Sequence, residues 1–177
     1  VNTPQYPQGI CPFEKVFPSQ LNRDDLFYMQ LAYNASIDAY RQNEVPVGAI
    51  IAYQGEVVAS AHNQVEFTRD ATAHAEILAI TQATQKLGDW RLNDCTLYVT
   101  KEPCPMCSGA AVMSRLGKVV YAASDSKMGF LGGALDISKV QSLNHKLNIT
   151  SGLLKEECKE VLSHFFSQKR DNSSHRD

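Results

Sequence analysis

Two cysteines three residues apart, in Pro103-Cys104-Pro105-Met106-Cys107, constrain this chain more than any other feature. Residues 96–100 just before them are a β-rich run. Pro105 suits the first turn of a helix, where its missing N–H leaves no bond unmade. A strand is therefore expected to run straight into a helix, with both sulfurs on the opening turn. At spacing i, i+3 they share one face, and the positive helix N-terminus favours their thiolate forms. Three uses fit such a pair. A redox dithiol also stands between a strand and a helix. A structural zinc site needs four protein ligands, and Cys11, Cys95 and Cys158 offer no second pair. A catalytic zinc site needs three protein ligands and a position open to water, so a single histidine elsewhere completes it.

That histidine is available in His74-Ala75-Glu76, at the opening of a predicted helix. Water on zinc has its pKa drawn from ~15.7 toward ~7. A carboxylate beside it can carry the proton that hydrolytic deamination must move. Positions i and i+2 diverge by about 200° on an ideal helix, so both face one site only near its first turn. Taken alone, the two residues read as a half-buried histidine and a solvated glutamate. Paired with the downstream cysteines, they read as third ligand and proton shuttle.

The chain's 177 residues fit one domain, and 44% hydrophobic with 20% charged residues excludes a disordered chain. A net charge of −2 gives no bulk attraction for nucleic acid, so any such binding uses a local patch. No stretch reaches the ~20 apolar residues of a membrane-spanning helix. Residues 1–22 hold four of the seven prolines and lack the pattern of a secretory signal; they read as an irregular arm. Five cysteines without a framework point to a reducing, cytoplasmic setting.

Asn22 and Asp24 are cap residues for a helix that carries Leu26, Met29, Tyr33, Ile37 and Tyr40 on one face and ends near Asn43. Residues 47–53 and 56–61 flank Gln54-Gly55 as a β-hairpin. Thr72 is expected to cap a helix with Ile77, Ile80, Thr84 and Leu87 on one face and Gly88 as its stop. Gly109, Ala110 and Ala111 are expected to let the helix after Pro105 lie close against a sheet, and residues 118–122 form another strand. Residues 129–133 read as a flexible loop. The last helix carries Leu154, Cys158, Val161, Leu162 and Phe165, with fraying from Ser167. This order argues for a three-layer α/β domain over 23–170, with a polar tail at 171–177.

His-x-Glu followed by Pro-Cys-x-x-Cys is similar to the signature of the zinc cytidine/deoxycytidylate deaminase superfamily. Glu44-Val-Pro-Val-Gly-Ala49, Thr72-Ala-His-Ala-Glu-Ile77, Trp90-Arg-Leu92, Thr96-Leu-Tyr-Val-Thr100 and Glu102-Pro-Cys-Pro-Met-Cys107 resemble the bacterial tRNA adenosine deaminases. Those enzymes convert the wobble adenosine of a tRNA anticodon to inosine. The resemblance runs ungapped from about Glu44 to Arg170. It implies an α/β/α cytidine-deaminase-like fold with a five-stranded mixed sheet, a homodimer, and one Zn2+ per subunit. It makes His74, Cys104 and Cys107 the metal ligands and Glu76 the general acid/base. It sets Asn63 against a flipped base, the Ala75 backbone in the same pocket and Pro46 on an apolar wall. Asp125, Lys127, Asn144, Phe166, Lys169 and Arg170 match positions that hold the anticodon loop.

Without the resemblance, Asn63 and Asp125 read as turn residues, Asn144 as a loop end and Phe166 as core. Lys169 and Arg170 read as solvated charges, and Cys11, Cys95 and Cys158 as small buried hydrophobes. Departures gather where RNA is expected to touch. Lys101 stands where relatives usually carry an aliphatic residue, and Ser124 stands at a position that can be basic. Gly132-Gly-Ala-Leu-Asp136 replaces a Gly-Ser-Leu-Met-Asp-like run, and the tail is less basic than is common. Since phosphate contacts dominate nucleic-acid affinity, a free nucleobase or nucleoside such as guanine or cytosine is the alternative substrate. A non-catalytic, metal-folded subunit of a deaminase complex is the alternative of another class, and the presence of Glu76 speaks against it.

Overall fold

The computed structural model describes residues 10–173. The first nine residues of the arm and the last four of the tail lie outside the described residues. Helix α1 (Asp25–Arg41) starts where the Asp24 carboxylate accepts the Phe27 N–H at 2.9 Å, a cap of about 1 kcal/mol. Strands β1 (Gly48–Tyr53) and β2 (Glu56–His62) form the hairpin. Its turn puts Gln54 at φ 49° and Gly55 at φ 81°. A single turn, α2 (Val65–Thr68), precedes α3 (Ala75–Leu87), which Gly88 closes at φ 69°. Then come β3 (Cys95–Lys101), α4 (Pro105–Met113), β4 (Lys118–Ala123), β5 (Asn148–Ser151) and α5 (Lys155–Ser173).

The sheet order is β2-β1-β3-β4-β5. The pairs of β1 with β2 and with β3 are antiparallel, and those of β4 with β3 and with β5 are parallel. This is the five-stranded mixed sheet expected. Strand alternation sends Ala49, Ile51, Leu97, Val99 and Val119 to one face, where α3 and α4 cover them. Ile50, Ala52, Tyr98, Val120 and Ala122 go to the other face, under α1 and α5. Helix α1 comes so near β1 that a Cβ on Gly48 would lie 2.1 Å from the Ala32 carbonyl oxygen. Only glycine fits there.

Several local expectations change. Thr72 does not cap α3, because its N–H and hydroxyl both donate to Asp70 Oδ1, at 2.8 and 2.7 Å. His74 takes the cap position instead, with no side-chain cap bond. The buried seam of α3 is Ala75, Glu76, Ala79 and Ala83, while the larger Ile77, Ile80, Thr84 and Leu87 flank it. On α4 the covered face is Cys107, Ser108, Ala111 and Val112, and a Cβ on Gly109 would meet nothing. Leu26 is exposed, whereas Met29, Tyr33, Ile37 and Tyr40 are buried. Helix α5 continues past Ser167 to Ser173.

The arm docks on the body over its described part. Val16 exchanges two backbone bonds with the Asn34 amide, at 2.8 and 2.7 Å, and Lys15 pairs with Asp38 at 2.7 Å. Phe13 packs edge-on against Tyr40 and His164. Residues 129–133 are not a loose loop, because they are folded onto the Glu102 carboxylate. Among the described residues no helix is long and apolar enough to cross a membrane.

Candidate active site

The N-termini of α3 and α4 meet at one end of the sheet, at the carboxyl end of β3. His74 caps one helix (φ −73°, ψ 150°) and Cys104 caps the other (φ −71°, ψ 176°). Because His74 stands just before the helix and Glu76 in its first turn, the divergence of i and i+2 does not separate them. His74 Nδ1 lies 3.7 Å from Cys104 Sγ and 3.6 Å from Cys107 Sγ. The three ligand atoms lie within 4.8 Å of one another. A tetrahedral zinc ion with its usual Zn–N and Zn–S lengths sets nitrogen and sulfur about 3.6 Å apart. The donor set therefore fits zinc, and three protein ligands leave a position for water.

The electrostatics of the His/Cys/Cys group agree with a site built for a cation. Cys104 is drawn down to about 4 by hydrogen bonding from Cys107 and from His74, against the effect of burial. Cys107 moves up, because the neighbouring Cys104 sulfur, burial and Glu76 all oppose a second negative charge. His74 is raised through its bond to Cys104. Burial raises the Glu76 carboxyl, which is 4% exposed.

These groups open into a cavity of about 290 Å³, near the small end of ligand sites and suited to one base. Of the residues expected from sequence, Asn63, His74, Glu76, Cys104 and Phe166 line it, and Cys107 is fully buried beside it. Pro46 and Ala75 are buried, and their neighbours Val45, Val47, His74 and Glu76 form the wall. The cavity wall does not include Asp125, Lys127, Asn144, Lys169 or Arg170. Asp125 is engaged within the chain. It forms an ion pair with Lys101 and accepts the N–H groups of Lys127 and Met128 at 2.9 and 3.0 Å. Lys127, Asn144, Lys169 and Arg170 are exposed, with Lys169 Nζ 5.3 Å above the Phe165 ring.

Two buried acids of the wall stand in the motifs above without a role assigned from sequence. Glu44 and Glu102 are each 1% exposed and line the cavity. Glu44 accepts the N–H groups of Glu66 and Phe67, at 3.2 and 2.8 Å, and so fixes α2. Glu102 accepts those of Asp125, Leu131 and Gly133, at 2.8, 2.9 and 2.8 Å. The trace of this in the sequence is faint: an acidic residue before a proline, with glycines 129 and 133 downstream.

A mixed sheet with paired helix N-termini presenting His, Cys and Cys beside a buried Glu defines the cytidine-deaminase-like class. The profile of the MafB19-like deaminases matches residues 23–170. The tRNA-specific adenosine deaminase of Bacillus subtilis (strain 168) is 45% identical over 150 residues, covering 85% of this chain and 92% of the relative. That of Aquifex aeolicus (strain VF5) is 44% identical over 146 residues, 82% and 96% of the two chains. A structure from a study of A-to-I editing by tRNA wobble-position deaminases superposes with TM-score 0.74 at 36% identity. That match covers 76% of this chain and 98% of the other. Guanine deaminase from Nitrosomonas europaea gives 0.68 at 25% identity, over 79% and 83%. The chain belongs to the deaminase family that contains the tRNA-specific adenosine deaminases.

Proposed function

We propose that this deaminase hydrolyses the wobble adenosine of a tRNA anticodon to inosine, with one Zn2+ held by His74, Cys104 and Cys107. The observation that carries the reading is the His/Cys/Cys group at zinc spacing, with the Glu76 carboxylate buried beside it on a base-sized cavity. The named relatives support the choice of tRNA. Residues 23–170 carry the activity, with the arm and the tail outside it.

Zinc, when bound, supplies Lewis acidity that makes water a nucleophile at neutral pH. Glu76 accepts one proton of the attacking water and delivers it to a ring nitrogen of adenine. It then takes the second proton from the hydroxyl newly formed on the ring carbon and passes it to the amino group, which leaves as ammonia as the carbonyl forms. Burial keeps each proton from exchanging with bulk solvent between the steps. The cavity admits one base, so the nucleotide has to leave its stack to enter. Asn63 is the polar wall group for recognising the base, with the Ala75 backbone and the apolar side near Pro46 completing the pocket. Phe166 offers a ring for stacking. Asp125, Lys127, Asn144, Lys169 and Arg170 form the outer contacts to the anticodon loop. The five free cysteines and a site that needs its thiolates fit a reducing, cytoplasmic setting. The same reading carries a homodimer, which light scattering tests.

A second reading, deamination of a free base, draws on the Lys101–Asp125 ion pair, which withdraws one outer carboxylate from an RNA partner. The deciding experiment compares zinc-loaded protein on an anticodon stem-loop with wobble adenosine, and on free adenosine, guanine, guanosine and cytosine. Inosine in the stem-loop alone is the expected result. Turnover of a free base with the stem-loop untouched would overturn the tRNA reading and leave the deaminase chemistry in place.

A further inference from the structure

We propose that Glu102 is a positioning residue that holds residues 125–133 fixed behind the cavity wall formed by Lys101 and Glu102, as a rim outside the cavity, and that this rim selects an extended RNA over a free base. The proposal rests on the tRNA reading above. Glu102 ends in a carboxylate that is 1% exposed, and the hydrogen bonds it accepts come from one segment: Asp125 N–H on Oε2, and Leu131 and Gly133 N–H on Oε1. The segment is shaped to receive it. A Cβ on Gly129 would lie 2.2 Å from Glu102 Cδ, and one on Gly133 would lie 2.4 Å from Oε2. A Cβ on Gly129 or on Gly133 would also lie 2.5 or 2.2 Å from the Asp125 carbonyl oxygen, so the Glu102 carboxylate and the Asp125 backbone together require glycine at both positions.

The rim is also tied to neighbours of Glu102. Phe130 N–H donates to the Pro103 carbonyl at 3.0 Å, and the Asp125 carboxylate pairs with Lys101. Lys127 and Met128 stand exposed on its outer side. A side chain that meets three donors through oxygen acceptors cannot be replaced by an amide without turning an N–H2 toward N–H groups. Loss of Glu102 thus leaves three rim N–H groups without their acceptor and loosens the rim, while His74, Glu76 and Cys107 stay in their own elements. The reacting base contacts the cavity floor, whereas the flanking nucleotides meet the rim. Affinity for an RNA loop then depends on Glu102, and the chemical step does not.

The test uses the full zinc-loaded protein with Glu102→Gln, and Gly133→Ala as a second variant that keeps the carboxylate and displaces the rim. Amide hydrogen exchange at residues 125, 131 and 133 is measured without substrate, and kcat, KM and bound zinc are measured with the stem-loop. Support is faster exchange at those amides and a KM raised about tenfold, with kcat and zinc within about twofold of the parent. Unchanged exchange and KM in both variants would overturn the proposal. So would a fall in kcat that tracks lost zinc, since Glu102 would then serve the Cys104 segment. A parent protein inert on the stem-loop would sink the tRNA reading and with it the selective role, while the exchange data would still decide whether Glu102 holds the rim.

Discussion

On the cavity floor, His74, Glu76, Cys104 and Cys107 come from the opening turns of two helices and are buried or half-buried. The residues proposed to form the mouth, Lys127, Asn144, Lys169 and Arg170, are outside the cavity wall on three separate segments, all exposed. The floor leaves its groups no conformational choice. Cap geometry fixes His74 and Cys104, the helix phase fixes Glu76 and Cys107, and the sheet fixes both helices. The mouth is held by tertiary contacts: the Glu102 carboxylate under the rim, His145 Nε2 donating to the Leu116 carbonyl at 2.6 Å, and Phe13 and Tyr40 packed against α5. On the proposed reading, reaction type is written locally and substrate choice is distributed. Substitutions on the floor should abolish chemistry, and substitutions at the mouth should grade it.

The sharpest break expected is at Glu76. Glu76→Gln keeps the shape and removes the acid/base, so turnover should fall by about 10²–10⁴-fold. Zinc content and stem-loop affinity should stay at the parent values. Near-normal turnover would take the proton-carrying role away from Glu76. Cys107→Ala comes next, because metal affinity and folding are coupled. A loss on the order of 3 kcal/mol should lower Tm by about 6–12 °C in a domain of this size. Elemental analysis should show zinc lost in parallel, and full zinc occupancy would sink the ligand assignment.

The same contrast explains which parts of the molecule were legible in the sequence. Both floor segments announce themselves, because a His, two Cys and a Pro at fixed spacing leave few alternatives. The hairpin was legible from Gln54-Gly55 between two apolar runs, and α1 from its face of Met29, Tyr33, Ile37 and Tyr40. Strand β5 was not legible residue by residue, being four residues long and mostly exposed. The start of α3 was misplaced because Thr72 has a nearer partner in Asp70, a local competition that propensity does not rank. Residues 129–133 looked flexible because glycine signals either freedom or close approach, and the approaching Glu102 is nearly thirty positions earlier. Mouth residues such as Asn144 and Lys169 carry no local signal at all. Their exposure is what solvated side chains show anyway.

At the mouth, Lys127→Ala and Lys169→Ala should each weaken stem-loop binding by a few-fold, with kcat unchanged. Each lost phosphate contact should flatten the plot of log affinity against log salt by about one unit. Binding measured between about 50 and 200 mM salt checks this. An unchanged slope in both variants would mean that the RNA is held elsewhere, and the mouth would lose its claim to selection.

The smallest effect expected lies where floor and mouth join, at the Lys101–Asp125 pair. Burial alone would raise the Asp125 carboxyl from its ordinary 3.8, yet Lys101 and the N–H groups of Lys127 and Met128 hold it down to about 2. A lowered folded-state pKa stabilises the fold fully above the ordinary value, and that stability is lost as pH falls through about 2. Lys101→Met removes the charge and keeps the two N–H bonds, so the carboxyl midpoint should rise part of the way back. The stability difference between parent and variant should be about 1 kcal/mol or less near neutrality and should close as both become protonated. Carboxyl carbon shifts followed by NMR over the acid range give the midpoint directly. If it does not move, the turn alone holds Asp125, and Lys101 is available to a substrate phosphate. If it rises, Lys101 is committed to Asp125, and what the mouth offers an RNA is carried by Lys127, Lys169 and the rim.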